Sequence, residues 1–310
     1  MSDTSPPMPA ANKKAQVVTR PLALTLLVLV ILLWGVNWPV MKEVVGHMPP
    51  ISFVASRLLL GAVSLLIFTA ALRQLRLPAK ADIPVILSVG VLQMGLFMLL
   101  VTIAVQYVPA GRAGILAYTT PLWVVPLALI FLKERVGWAK AGGLLVGLAG
   151  VAVLFNPAAF DWTQRPVLLG NGLLMLAALI WAFNIVHVRR HRWVGTPLQL
   201  APWQMMLAAL MATIAALGTE DLSQIDWSGQ LVVLLIYNGP IATAFCFWAM
   251  VTVNRALPAI TTSLSVLGVP VVGLVSSALW LHEPLTLTNL VGLGLIGGGL
   301  ILVALSEKRG

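Results

Sequence analysis

Charge is what this sequence has least of. Of its 310 residues only 9% are Asp, Glu, Lys or Arg, against about 25% in soluble domains, and 59% are hydrophobic. So few charges cannot cover so much apolar surface in water. A soluble globule is excluded, and lipid must solvate the outer faces of a multispanning membrane protein. Cysteine is nearly absent too. The single Cys246 rules out an intrachain disulfide and a cysteine-built metal site. In its apolar stretch it reads as a small buried packing residue. No Walker motif is present, so ATP does not drive the protein. No nucleophile–base constellation and no metal-ligand spacing occurs, so the chain reads as neither an enzyme nor a holder of a cofactor. Acids are missing from the centre of every apolar run, which argues against carboxylate-based proton antiport and against a cationic cargo.

What is present is length of apolar run. A helix crossing the hydrocarbon core needs about 20 mostly apolar residues. Ten segments qualify: 22–41, 51–72, 83–106, 110–132, 138–155, 169–188, 199–217, 230–252, 259–281 and 287–305. The first could be taken for a signal peptide, but it runs on to Met41 with no small-residue cleavage site, so it reads as a retained helix. The net charge of +9 sorts by side rather than pointing to nucleic acid. With the N-terminus cytoplasmic, fifteen of the nineteen basic residues fall on one side, leaving Lys42, Arg57, Arg112 and Arg165 towards the other. This distribution predicts cytoplasmic N- and C-termini.

The chain also repeats itself. Trp34 and Asn37 match Trp181 and Asn184 at an offset of 147, and "VPAGRAGILAYTTPLWV" from 108 matches "LPAITTSLSVLGVPVVG" from 257 at an offset of 149. Pro109, Pro121, Glu134, Gly143 and Gly150 then fall on Pro258, Pro270, Glu283, Gly292 and Gly299. Five helices per unit is an odd number, so the second unit must enter the membrane in the opposite sense. The expected fold is all-α and integral to the membrane, with ten transmembrane helices as two inverted five-helix repeats. Its parts are a tail at 1–21, a first repeat at 22–155, a connecting loop at 156–168, a second repeat at 169–305 and a tail at 306–310. Inverted repeats are characteristic of secondary transporters, with the cargo site near the midplane between the halves.

"LLWGVNW", "ASRLLLGA", "VPAGRAGILAYTTPLWV" and "LKERV…AGGLLVGLAGV" together resemble the drug/metabolite transporter superfamily, most closely its EamA branch. The resemblance covers residues 22 to 305 and both halves. It implies a ten-helix inner-membrane exporter of amino acids or other metabolites, aromatic and other neutral amino acids among them. It also implies the export direction, which the residues alone do not.

Candidate cavity residues follow from mid-depth polar and aromatic positions. They are Trp34, Asn37 and Trp38 on helix one, Gln93 and Phe97 on helix three, Tyr118, Thr119 and Thr120 on helix four, and Trp181 and Asn184 on helix six. Helix eight adds Asn238, Phe245 and Trp248, and helix nine Thr262, Ser263 and Ser265. Rings would supply dispersion and cation–π attraction to an ammonium, and amides and hydroxyls would bond a zwitterion. Each residue singly also fits interhelical packing. Pro121 and Pro270 are equivalent mid-helix positions read as hinges, with a static kink as the alternative. Gly143–Gly147 and Gly294–Gly298 have the spacing for close helix packing, within the bundle first and between copies second; monomer and dimer both stay open. Arg57 could bind a carboxylate, snorkel to the surface or bond exposed carbonyls. His187 reads as a solvated interfacial group.

The reading is an alternating-access carrier in a lipid bilayer, exporter or facilitator, for small neutral or zwitterionic metabolites, amino acids first. Purines, nucleotide sugars or lipophilic drugs are the alternative cargo. A membrane-embedded enzyme or lipid-handling protein is the alternative of another class.

Overall fold

The computed structural model describes residues 19–127, 130–131, 137–155, 164–191, 194–256, 266 and 268–306. These residues form helices and no strand. In chain order they are α1 (Arg20–His47), α2 (Pro50–Ala71), α3 (Ile83–Leu87), α4 (Phe97–Ala104), α5 (Ala110–Ala117), α6 (Thr120–Leu127) and α7 (Trp138–Phe155). Then come α8 (Arg165–Arg190), α9 (Pro197–Thr219), α10 (Gly229–Ile236), α11 (Cys246–Ala256), α12 (Gly268–Trp280) and α13 (Leu287–Ser306). Six stretches among the described residues are long and apolar enough to cross a membrane: Arg20–His47, Pro50–Ala71, Lys80–Ala104, Arg165–Val188, Pro197–Thr219 and Gly229–Met250. Shorter apolar helices run over Ala141–Val153, Gly268–Trp280 and Leu287–Gly299.

Two of the long stretches are not uniform α-helix. Ser88–Leu96 joins α3 to α4 as a π-helix, and Tyr237–Phe245 joins α10 to α11 in the same way. Both ends of the first segment map onto the second at the offset of 149. π-Helical turns are rare and occur often at functional sites. The stretch expected as one helix over 110–132 is instead broken. α5 ends at Ala117, Tyr118 and Thr119 form a turn, and α6 starts at Thr120. Pro121 therefore sits in the first turn of α6, a position that proline tolerates. The carbonyl that Pro121 leaves free, that of Ala117, accepts from the Thr120 hydroxyl at 3.1 Å, and Leu116 O accepts from the Thr119 hydroxyl at 2.7 Å.

Helices of one half pack mainly against helices of the other. α7 lies along α13, and α2 lies along α9. α1 packs on α12 and α11, while α8 packs on α6, α5 and α4. Small residues make these approaches close. A methyl built on Gly150 would lie 2.8 Å from Ile296 N and 2.9 Å from Gly292 O. One built on Gly299 would lie 2.5 Å from Gly147 N and 2.6 Å from Gly143 O. Each contact is the other with the two halves exchanged. Gly294 and Gly298, by contrast, face open space, so that part of the glycine pattern plays no part in the contact. Gly90 rests on the Gln204 carbonyl and Leu207, and Gly239 on Leu60 and the Arg57 carbonyl, again an exchanged pair.

The ends of the bundle are tied by carboxylates that accept backbone N–H groups at helix starts. Glu220, just past α9, accepts from Ile51 N and Ser52 N at 2.8 and 2.7 Å and from the Ser52 hydroxyl at 2.7 Å. Glu283, past α12, accepts from Ala110 N and Gly111 N at 2.7 and 3.1 Å. Asp82, just before α3, accepts from Val194 N and Gly195 N at 3.0 and 2.8 Å, ahead of α9. Thus the ends of α1, α9 and α12 and the starts of α2, α5 and α10 gather at one end of the bundle, here called the His47 end. The start of α3, the end of α8 and the start of α9 gather at the other.

Replacing Gly299 with leucine is expected to force α7 and α13 apart at a cost of about 1–3 kcal/mol. A thermal-unfolding series in detergent checks it: a midpoint lowered by several degrees is expected, with Gly298→Leu unchanged as control.

Candidate functional site

Spacings of three and four put Trp34, Asn37, Trp38 and Met41 on adjoining faces of α1. Their fates differ. The Trp34 indole N–H donates to Ala242 O at 2.9 Å, and the Tyr237 hydroxyl donates to Leu33 O at 2.6 Å, so α1 is bonded twice to the second π-helical segment. Asn37 is buried, and its side-chain oxygen has no partner among the described residues. Trp38, also buried, is wedged between two glycines. A methyl on Gly114 would lie 3.2 Å from its Nε1, and one on Gly273 would lie 3.0 Å from its Cδ1.

The equivalent positions on α8 face the first π-helical segment. The Asn184 amide N–H donates to Gln93 Oε1, and Asn184 Oδ1 is buried without a partner among the described residues. One turn away, the Phe97 and Trp181 rings meet edge to face at 4.5 Å, the separation at which aromatic quadrupoles attract. Gln93, Phe97, Trp181 and Asn184 are thus one group. Trp34, Phe245 and Trp248 pack in a second, with the Trp248 ring 5.7 Å from Phe245 and 5.4 Å from Phe68. Asn238 is fully buried: its amide donates to Leu234 O at 3.0 Å, and its side-chain oxygen lacks a partner. No hydrogen bond or ring contact among the described residues joins the two groups. Thr119 and Thr120 spend their hydroxyls on the break in the α5–α6 stretch, beside the half-buried Tyr118. Thr262, Ser263 and Ser265 lie outside the described residues, as does Glu134.

Of the fates that sequence reasoning left open for Arg57, the structure takes neither snorkelling nor bonding to exposed carbonyls. The side chain is 2% exposed, so it does not snorkel. Its Nε and Nη2 both donate to the Thr243 hydroxyl oxygen, at 3.3 and 3.1 Å, and Nη1 approaches Met41 Sδ at 3.4 Å. The Phe53 ring centroid lies 5.5 Å from the guanidinium carbon, within cation–π reach. The Thr243 hydroxyl in turn donates a hydrogen bond to Asn238 O at 2.6 Å. The charge is thus held by neutral groups, and through Thr243 it is coupled to the π-helical segment. Nothing in the spacing of Arg57 and Thr243, 186 positions apart, marks them as a pair. His187 is half-buried, its ring 6.4 Å from that of His191, which reaches Asp82 at 3.4 Å.

A cavity of about 440 Å³ opens at the His47 end, lined by His47, Met48, Pro49, Gln106, Glu220 and Asp221 among others. None of the candidate residues lines it. The Ser223 hydroxyl and backbone N–H, at 2.7 and 3.0 Å, hold the exposed Asp221 carboxyl below its ordinary value.

Thr243→Val, which keeps shape but removes the oxygen under Arg57, is expected to destabilise the fold by about 1–3 kcal/mol. Adding Arg57→Met should recover most of that loss, because an unpaired buried charge costs more than an apolar replacement. Unfolding midpoints of the two single variants and the double variant check the coupling; additive losses would contradict it.

Comparison with known proteins fits this architecture. The EamA-like transporter family matches over residues 21–156 and again over 168–305. The chain is 29% identical over 283 residues to the uncharacterized transporter YvbV of Bacillus subtilis, covering 91% of this chain and 92% of that one. It is 28% identical over 288 residues to a probable amino-acid metabolite efflux pump of Salmonella typhimurium, covering 89% and 93%. It is 27% identical over 286 residues to a probable terminal-alkyne amino-acid exporter of Streptantibioticus cattleyicolor, covering 89% and 91%. A solved crystal structure superposes with a TM-score of 0.65 over 93% of this chain and 97% of that one, at 22% identity, a likeness of fold. With two family matches spanning nearly its whole length, the chain belongs to the EamA-like transporter family and is a multi-pass membrane transporter.

Proposed function

We propose that this protein is an alternating-access carrier, ten-helical and built of two oppositely inserted repeats, that exports small neutral or zwitterionic metabolites, amino acids with aromatic ones included. Its termini are cytoplasmic, so the His47 end faces outward. Exchanged contacts support the oppositely inserted repeats: Gly150 with Gly292 and Ile296 against Gly299 with Gly143 and Gly147. So does the gathering of the ends of α9 and α12 with the starts of α2 and α5.

One observation carries the binding role. Asn37 and Asn184, 147 residues apart, are both buried with a side-chain oxygen that no described residue satisfies. Leaving such an acceptor dry costs about 1–3 kcal/mol, and native structures seldom keep one without a use. Two of them at repeat-related positions, one beside the Phe97–Trp181 ring pair, suit a cargo that brings N–H donors and an apolar side chain. An α-ammonium with an aromatic or aliphatic residue answers both. The amino-acid exporters among its relatives point the same way. Trp34, Gln93, Tyr118, Phe245 and Trp248 are the proposed further walls. Trp38 and Thr120 are less exposed to any cargo, being taken up by glycine contacts and by the Ala117 carbonyl. The break that begins α6, with Pro121 in its first turn, and Pro270 within α12 are the proposed hinges.

Purified protein in liposomes, assayed with a panel of labelled amino acids, tests the proposal. Saturable flux is expected, and it should persist with the pH difference collapsed; flux lost with that difference would contradict a facilitator. Asn37→Ala and Asn184→Ala should each raise KM about tenfold, as loss of one buried hydrogen bond predicts. Unchanged kinetics in both would remove the amides from the site.

A further inference from the structure

We infer that the His47 end of this carrier is shut by a two-layer gate, a Lys42–Glu283 latch on the start of α5 above a Trp38 wedge between α5 and α12. The inference rests on the transporter reading and adds to it what controls access to the proposed cargo site from that side.

The upper layer ties three segments from both halves. Lys42 Nζ, on α1, donates to Val108 O at 3.0 Å and lies 3.4 Å from Glu283 Oε1. The same carboxylate accepts the first two N–H groups of α5. With its side chain only 14% exposed, Glu283 makes charge-assisted bonds that water weakens little. The backbone is shaped to deliver it. After α12 the chain turns at His282, whose φ of 54° is in the left-handed region, and Glu283 N–H returns to Ser277 O at 3.4 Å. Pro284 then prevents the helix from resuming. A non-glycine residue in that conformation costs about 1–2 kcal/mol, which the bonds of Glu283 offset.

The lower layer lies one turn away. Trp38 stands at i−4 to Lys42, on the same face of α1, with its indole flat between Gly114 and Gly273. Glycine at both positions lets α5 and α12 close on the ring; a methyl at either would push it by a few tenths of an ångström. Towards the centre come Trp34 and Asn37 on α1 and, on α5, Ala117 and the break at Tyr118–Thr119. α5 is thus an eight-residue helix held at its start by the latch, in its middle by the wedge, and free of helical continuity at its end. It can swing about that break once both layers release. The other carboxylate ties differ: Glu220 caps the start of α2, a helix continuous over 22 residues, with no basic partner among the described ion pairs.

The gate is read without cargo. In a Cys246→Ala background, Ala117→Cys places a thiol just beneath the wedge, where the native side chain is buried. A membrane-impermeant thiol reagent is applied to each face of the membrane in turn. From the His47 face, Lys42→Met and Glu283→Gln should each speed labelling about tenfold, the shift expected when one charge-assisted tie is lost from the closed state. Lys42→Arg, which keeps the charge, should label at the parent rate. Gly114→Ala leaves the latch but lifts the ring by a few tenths of an ångström, and should speed labelling by a smaller factor. Unchanged rates in monodisperse Lys42→Met and Glu283→Gln would overturn the latch. So would Lys42→Arg labelling as fast as Lys42→Met. An unchanged rate in Gly114→Ala would overturn the wedge. If either charge variant aggregates, the other and Lys42→Arg still decide. Absence of saturable flux would sink the carrier reading and leave these rates interpretable.

Discussion

Inside a bilayer no water waits to bond a stray amide, so every backbone N–H and C=O must find a partner within the protein. Continuous helices meet that demand unaided. At its helix ends, and at the break over Tyr118–Thr119, this chain needs outside partners for the groups released there. Carboxylates of Glu220, Glu283 and Asp82 take pairs of N–H groups at the starts of α2 and α5 and ahead of α9. The donors Trp34, Tyr237, Thr119 and Thr120 take carbonyls. Most of the long-range ties cross from one repeat to the other. The same constraint that stabilises the fold therefore also joins its halves, and it does so at places that must separate if either end of the bundle is to open.

The unsatisfied groups gain meaning against that background. Among the described residues the oxygens of Asn37, Asn184 and Asn238 are bare, as are those of Asn171, Thr102 and Ser277; what sets Asn37 and Asn184 apart is that they occupy repeat-related positions. Arg57 shows the opposite solution, a charge sunk in the bundle and met by a threonine, a thioether and a ring face. Its repeat equivalent, Gln204, is neutral and equally buried. The two halves are thus alike in backbone and unlike in the polar groups they bury, as expected of a duplicated scaffold whose halves have taken separate tasks.

Much of the architecture was legible before any coordinates. The offsets of 147 and 149 paired Gly143 and Gly150 with Gly292 and Gly299, and those residues make the exchanged contacts. Apolar run length located the long helices, because lipid imposes one thickness on all of them. The π-helical segments were not legible, since an extra residue per turn is set by what packs against the turn rather than by composition. Nor was the break at Tyr118–Thr119, where Pro121 suggested a kink in a helix that in fact starts beside it. Trp38 looked like its neighbour Trp34 by spacing alone. Glycines 76 and 235 positions away decide that one ring is a wedge, while Ala242 holds the other. The Lys42–Glu283 pair was hidden for the same reason, its partners being 241 residues apart.

The central claim is that one folding unit is present twice and enters the membrane in opposite senses. The most direct measurement places single cysteines at Lys80 and at Gly229, exposed positions 149 residues apart at the entries to the two π-containing helices, in a Cys246→Ala background. A membrane-impermeant thiol reagent is then applied to intact cells and to inverted vesicles. The account predicts that Gly229→Cys labels only in intact cells and Lys80→Cys only in inverted vesicles. Labelling of both from the same face would contradict it.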